Sequence, residues 1–172
     1  MKPTREERFN RLYTEHVEEV RRYVWRRDPG LTDDVLAETF IVAWRRLDDV
    51  PADARPWLIG VARNVRLNLR RAGRRQEAVS QRLVAAAGSA VVDLPHVDDD
   101  LRAALAALSE MDREVLLLSC WEDLDRRSVA RALGCSERTA SVRLHRARKR
   151  FAAAYRAAPN PALIPGGAPD AC

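Results

Sequence analysis

No apolar run in this sequence is long enough to cross a bilayer, and the N-terminus, MKPTREERFN, has no signal-peptide core. Those two absences point to the cytoplasm. Cysteine is scarce: Cys120, Cys135 and Cys172 have neither CxxC spacing nor a histidine at metal-ligand spacing. They read as reduced, structural thiols, and no metal or other cofactor is expected. A Gly-rich phosphate loop, HExxH and GxSxG are all missing. His16, His96 and His145 are scattered, and the acids at 98–100 suit a helix N-terminus better than a cation. The expectation is that the chain is not an enzyme. No stretch alternates apolar and polar residues as a half-buried strand would, and there is no internal repeat. What remains is an all-α protein.

Charge is plentiful but nearly balanced. The 172 residues hold 30 Lys and Arg against 25 Asp and Glu, a net +5, with a pI near 9.6. The distribution says more than the sum. Arg63, Arg66, Arg70, Arg71, Arg74 and Arg75 follow one another with no acid between them. A second basic run holds Arg138, Arg143, Arg146, Arg148, Lys149 and Arg150 against Glu137 alone. Acids gather elsewhere, at Asp33, Asp34 and Glu38, at Asp48 and Asp49, and at 98–100. Two basic segments separated by acidic ones suggest two nucleic-acid contacts on one chain.

Helical periodicity orders the rest. Phe9, Leu12, Tyr13, Val17, Val20 and Val24 form a stripe that predicts a helix from Phe9 to Arg27, ended by Asp28-Pro29-Gly30. Leu36, Phe40, Ala43, Trp44 and Leu47 predict a second over Leu31–Leu47. Pro56 suits the first position of a third, Trp57–Arg71, whose stripe is Leu58, Val61, Ala62, Val65 and Leu69. Gly60 inside it costs roughly 1 kcal/mol relative to Ala, which suggests close packing or a functional approach. Periodicity weakens from Gly73 to Val97, read as a flexible linker with some helix near Gln76–Ala87. Leu101, Leu105 and Leu108 mark a further helix, and Ser109 caps the next.

The last helical pair is the most telling. Val129, Ala130 and Leu133 share a face; Asp125 precedes them as an N-cap, and Gly134 supplies a left-handed stop. Ser136 then opens the basic helix. A helix, a tight Gly turn and a basic second helix make a helix-turn-helix, whose second helix enters the DNA major groove. The Pro/Gly/Ala-rich end of the chain reads as a disordered tail.

Two segments, LTDDVLAETFIVAWRRLDDV followed by ARPWLIGVARNVRLNLRRAGRR, resemble conserved region 2 of extracytoplasmic-function (ECF) sigma factors, small members of the sigma-70 family. LSEMDREVLLLSCWEDL with ALGCSERTASVRLHRAR resembles region 4 of the same family. The resemblance implies two small helical domains: 1–72 for core polymerase and the −10 element, a linker at 73–97 with no separate middle domain, 98–156 for the −35 element, and a tail at 157–172. It implies a sigma factor that binds RNA polymerase core (β′ clamp and β flap) and directs initiation at promoter DNA, under the control of an anti-sigma factor. Asp34, Leu36, Glu38, Thr39 and Trp44 fall at the polymerase-binding positions. Arg63, Asn64, Arg66, Asn68, Arg70 and Arg71 fall at the −10 positions, with Asn64 reading a flipped base. Arg138, Thr139, Ser141, Val142, Arg143 and Arg146 fall on the −35 helix, Arg143 foremost. Ser128, Ala140 and Ser141 depart from the family pattern. A dimeric helix-turn-helix regulator of the response-regulator type is the alternative, which leaves the basic segment at 63–75 without a task.

Overall fold

A computed structural model describes residues 3–80 and 99–157. Among the described residues, seven α-helices and two short 3₁₀ turns make up the architecture, with no strand. The first unit is α1 (Arg5–Trp25), α2 (Thr32–Arg45) and α3 (Arg55–Ser80). The second is α4 (Asp99–Ala106), α5 (Glu110–Cys120), α6 (Arg126–Leu133) and α7 (Glu137–Ala157).

α1 starts four residues earlier than its apolar stripe suggests, because Thr4 and Glu7 form a reciprocal capping box. That extension has a use. Arg5 and Arg8 both reach Asp48, at 3.1 and 2.8 Å, and tie α1 to the turn after α2. Phe9, Tyr13, Phe40 and Trp44 pack edge to face across the same joint. The α1–α2 connection is a 3₁₀ turn at Pro29–Leu31, and α2 ends in another at Leu47–Asp49. Pro56 is the second residue of α3 rather than the first. α3 runs nine residues beyond Arg71, past the 72/73 boundary that periodicity suggests, with Gly73 inside it. The rest of the expected linker, and the tail after Ala157, lie outside the described residues.

The two units share one core. Val20, Tyr23, Val35, Leu58 and Ile59 of the first are continuous with Leu118, Val129, Ala130 and Ala132 of the second. A smaller cluster (Leu105, Leu108, Val115, Leu116, Leu144 and Ala147) belongs to the second unit alone. The closest joint is α3 against α6. A Cβ on Gly60 would lie 3.0 Å from the Ala132 carbonyl oxygen and 3.3 Å from its Cα. The glycine lets the two backbones touch there.

Candidate nucleic-acid interface

The helix-turn-helix forms as its sequence dictates. The Asp125 carboxylate accepts the Ser128 backbone N–H at 2.7 Å, which opens α6 and holds the carboxyl below its ordinary pKa. Gly134 closes α6 at φ +63° in the left-handed region, where a Cβ would be strained. Ser136 Oγ accepts the Thr139 N–H at 3.2 Å and lies 2.9 Å from the Thr139 hydroxyl. Ala140, Leu144 and Ala147 turn inward at helical spacing. The opposite stripe, Arg138, Val142, His145, Arg146 and Lys149, is exposed. Val142 puts an apolar surface, 43% exposed, in the middle of it.

This phase refines the residue assignments. Arg138, Val142 and Arg146 lie on the exposed stripe. Thr139, Ser141 and Arg143 are half-buried at its flanks. His145 and Lys149 share the stripe although neither was singled out for reading. The spacing of Ala140, Leu144 and Ala147 carried that signal, because residues near ~100° per step fix which face looks outward.

The first unit presents a different surface. Glu38, Val42 and Arg46 of α2 and Val61, Asn64, Val65, Asn68 and Leu69 of α3 line a groove of about 450 Å³. Asn64 and Asn68 are exposed one turn apart, as is Asp34 on α2. The acidic face of α2 thus borders the amide face of α3. Leu36 and Thr39 are buried and support that wall from behind, the Thr39 hydroxyl donating to the Val35 carbonyl at 2.6 Å. Trp44 is partly exposed, with the Arg5 guanidinium 5.2 Å above its ring. Trp57 is half-buried against the core, with the Arg46 guanidinium 6.0 Å from its ring.

The basic row of α3 is split. Arg71 is exposed and Arg63 half-buried, but Arg66 is buried. Its guanidinium lies 2.7 Å from Asp28 and 3.5 Å from Glu114. Arg70 pairs with Glu110 at 3.0 Å and with Asp28 at 3.8 Å. Around Glu114 the other cations of the seam converge. Arg27 donates to Glu114 at 3.1 Å and to Glu122 at 3.0 Å; Tyr23 donates its hydroxyl to Glu114 at 2.7 Å; Arg26 reaches Glu122 at 2.6 Å. Burial alone would raise the Glu114 carboxyl, but Arg27 and Arg66 hold it below the usual carboxylate range. Burial and the Glu114 charge push the Tyr23 hydroxyl well above its ordinary value. Arg63, Arg66 and Arg70 have no acid near them in sequence; the fold brings acids to Arg66 and Arg70 from the α1–α2 turn and from α5.

A profile described as Sigma-70 region 2 matches residues 12–76, and one described as Sigma-70, region 4 matches residues 98–151. The ECF RNA polymerase sigma factor SigL of Mycobacterium tuberculosis is 32% identical over 148 residues, covering 78% of this chain and 81% of that protein. The chain belongs to the sigma-70 family, in its ECF group. It is therefore a transcription regulator of the sigma-factor type, with a region 2 unit in α1–α3 and a region 4 unit in α4–α7. The sigma factor RpoE of Bartonella quintana, solved in complex with the anti-sigma factor NepR, shares the fold: TM-score 0.62 at 21% identity, over 86% of this chain and 96% of that one. CnrH, solved in complex with the cytosolic domain of CnrY, matches with TM-score 0.56 at 25% identity, over 87% of this chain and 88% of that one. No described helix of this chain is long and apolar enough to cross a membrane.

Proposed function

We propose that this sigma factor binds RNA polymerase core through the exposed acidic face of α2 and directs initiation by reading −35 with α7 and opening and reading −10 with α3. The observation that carries the proposal is the groove in which Glu38 faces Asn64 and Asn68. It joins a polymerase-binding face to amide groups able to read a base edge. A plain duplex-binding regulator has no use for that groove. Asp34 and Glu38 are the polymerase contacts, Leu36 and Thr39 hold their helix in shape, and Trp44 borders them. Asn64 reads a flipped base, Asn68 lies beside it, and Arg63 and Arg71 hold backbone phosphates. Arg66 and Arg70 join them once their acids release them. On α7, Arg138, Val142 and Arg146 face the −35 groove, with Thr139, Ser141 and Arg143 at its edges. The 1–72 and 98–156 boundaries serve these two tasks. Such a factor works in the cytoplasm and turns over no substrate, and its control by an anti-sigma protein fits the company its structural relatives keep.

The test is reconstitution. Purified chain plus core polymerase should start transcripts from promoters whose RNA 5′ ends appear on overexpression. Core polymerase that neither binds the chain nor gains a start site from it would refute the proposal.

A further inference from the structure

We infer that Val142 is a specificity residue: from the centre of the α7 stripe its side chain packs on the C5-methyl group of one thymine in the −35 element and fixes a T·A pair there. This deepens the reading of α7 as the −35 helix and rests on it.

The phase of α7 comes first. Ala140 and Leu144 are buried and define the inner side of the helix. Val142 lies between them in sequence, about 200° around the helix from each. It therefore points away from the core, and it is 43% exposed. Arg138 and Arg146 stand about one turn before and after it, both exposed. The one acid of α7, Glu137, is about 140° round the helix from Val142 and faces Arg127 at 4.0 Å.

A lone exposed valine is ordinary on a protein surface. This one is not ordinary in its company. Arg138, His145, Arg146 and Lys149 share its stripe, and each carries a hydrogen-bonding head. A β-branched residue is also a poorer helix former than the arginine and lysine around it. In the major groove the base edges present donors and acceptors, with one exception, the thymine C5-methyl group. Only that group matches a side chain that neither donates nor accepts. Against a G·C pair, Val142 would cover polar edge groups and leave them with neither water nor a partner.

The size of the side chain fits the same task. A helix with its side chains is about 10–12 Å across, and the major groove is about 12 Å wide. Such a helix reaches the groove floor only where the middle of its face is short. Val142 ends one bond beyond its Cβ. Arg138 and Arg146 are each about 6 Å away along the axis, at ~1.5 Å per residue. Their long side chains meet edges or phosphates about two base pairs to either side, at ~3.4 Å per step. Thr139 is the rival reader, because it too carries a methyl group. It is half-buried, with its hydroxyl 2.9 Å from Ser136 Oγ.

The test deletes the methyl group from the DNA. Holoenzyme assembled from core polymerase and the full chain first selects its upstream element from duplexes randomised there. The selected duplex is then remade with deoxyuridine in place of each thymine in turn, which removes the C5-methyl and keeps every hydrogen bond. At one thymine the affinity should fall about fourfold, the worth of one buried methyl group. Val142→Ser, a change at an exposed site, should bind the thymine and deoxyuridine duplexes equally well. In a repeated selection it should lose the preference for T·A at that position. A selected element with no methyl-sensitive thymine overturns the inference. So does a methyl effect that persists in Val142→Ser, or one that Thr139→Ser abolishes while Val142→Ser does not. A chain that fails to bind core polymerase, or whose holoenzyme selects no upstream element, refutes the sigma-factor reading and this inference with it. Selection of an element whose thymines are all insensitive refutes the inference alone.

Discussion

Arg66 and Asp28 lie 2.7 Å apart, both buried, one from the middle of α3 and the other from the turn that ends α1. The pair fixes the α1–α2 turn onto α3 inside the region 2 unit, and Glu114 then adds a contact from the other unit at 3.5 Å. Removing one member of a buried pair costs about 3–5 kcal/mol, because the survivor keeps its desolvation without its partner. Asp28→Ala should cost ~3 kcal/mol, near the low end, since Arg66 retains Glu114. Asp28→Asn, which still accepts a hydrogen bond, should cost less. Urea denaturation read by circular dichroism checks both; an Asp28→Ala midpoint equal to wild type would remove the pair from the account of stability.

The seam also sets a pH dependence. The Glu114 carboxyl has a folded pKa below its unfolded value near 4.5: burial raises it, but Arg27 and Arg66 lower it further. A depressed carboxyl contributes stability above the unfolded pKa, and that contribution is lost as pH falls through the folded one. The Tyr23 hydroxyl has the opposite displacement, raised by burial and then by Glu114 from 10.0. Its neutral form is the one the fold accepts, so stability falls as pH rises above about 10. Urea midpoints should hold steady between these limits and drop on both sides. Glu114→Gln should flatten the acid limb; an unchanged acid limb in that variant would assign it to other carboxylates, Asp112 and Asp125 first among them.

The sequence made much of this legible because the signals were local. The Asp125 cap, the Gly134 stop and the stripe of α2 each depend on residues a turn or two apart. Gly60 was legible as a sign of close packing, but not what it packs on, because Ala132 belongs to another unit. Arg66 was read as a nucleic-acid contact, since nothing within ten residues of it is acidic. Its carboxylates, Asp28 and Glu114, come from distant segments, and only the tertiary fold brings them together. Tyr23 fell outside the α1 stripe for the same reason: it is buried with its hydroxyl donating to Glu114 of the second unit.

The left-handed turn of the helix-turn-helix gives a stability prediction confined to the region 4 unit. Gly134→Ala places a Cβ at φ +63°, and the strain should cost about 1 kcal/mol. No neighbouring atom lies within 4 Å of that Cβ, so backbone strain is the whole effect. Asp125→Ala, which removes the α6 cap, should cost a similar ~1 kcal/mol. Thermal melts of the two single variants and the double would check this. The two sites cap opposite ends of one helix, so a double-variant loss far from the sum would mean that α6 unfolds as a unit.

On α7, Arg138 sits on the exposed stripe and Arg143 at its half-buried flank. A bidentate arginine–guanine contact carries about 1–3 kcal/mol of discrimination. Arg138→Ala should lose that much at one −35 position, read as a 5–150-fold drop in transcription from the matched promoter and a smaller drop from one altered there. Arg143→Glu should also reduce −35-dependent transcription while sparing core polymerase binding. If Arg143→Ala relaxes base preference and Arg138→Ala does not, the helix enters the groove on its flank rather than its exposed face.

The acidic face of α2 provides the reciprocal test. Asp34 and Glu38 are exposed one turn apart and pair with no cation among the described residues, so reversing them breaks no ion pair there. The buried residues beneath them, Leu36 and Thr39, hold α2 in place. Asp34→Arg with Glu38→Arg should therefore leave the thermal midpoint within a degree or two, as surface substitutions do. It should weaken core polymerase binding about tenfold or more, with charge repulsion replacing attraction, and the loss should shrink as salt rises. Binding of duplex −35 DNA by the same variant should be unchanged, because α7 lies in the other unit. Loss of duplex binding together with polymerase binding would mean that the two faces act as one surface.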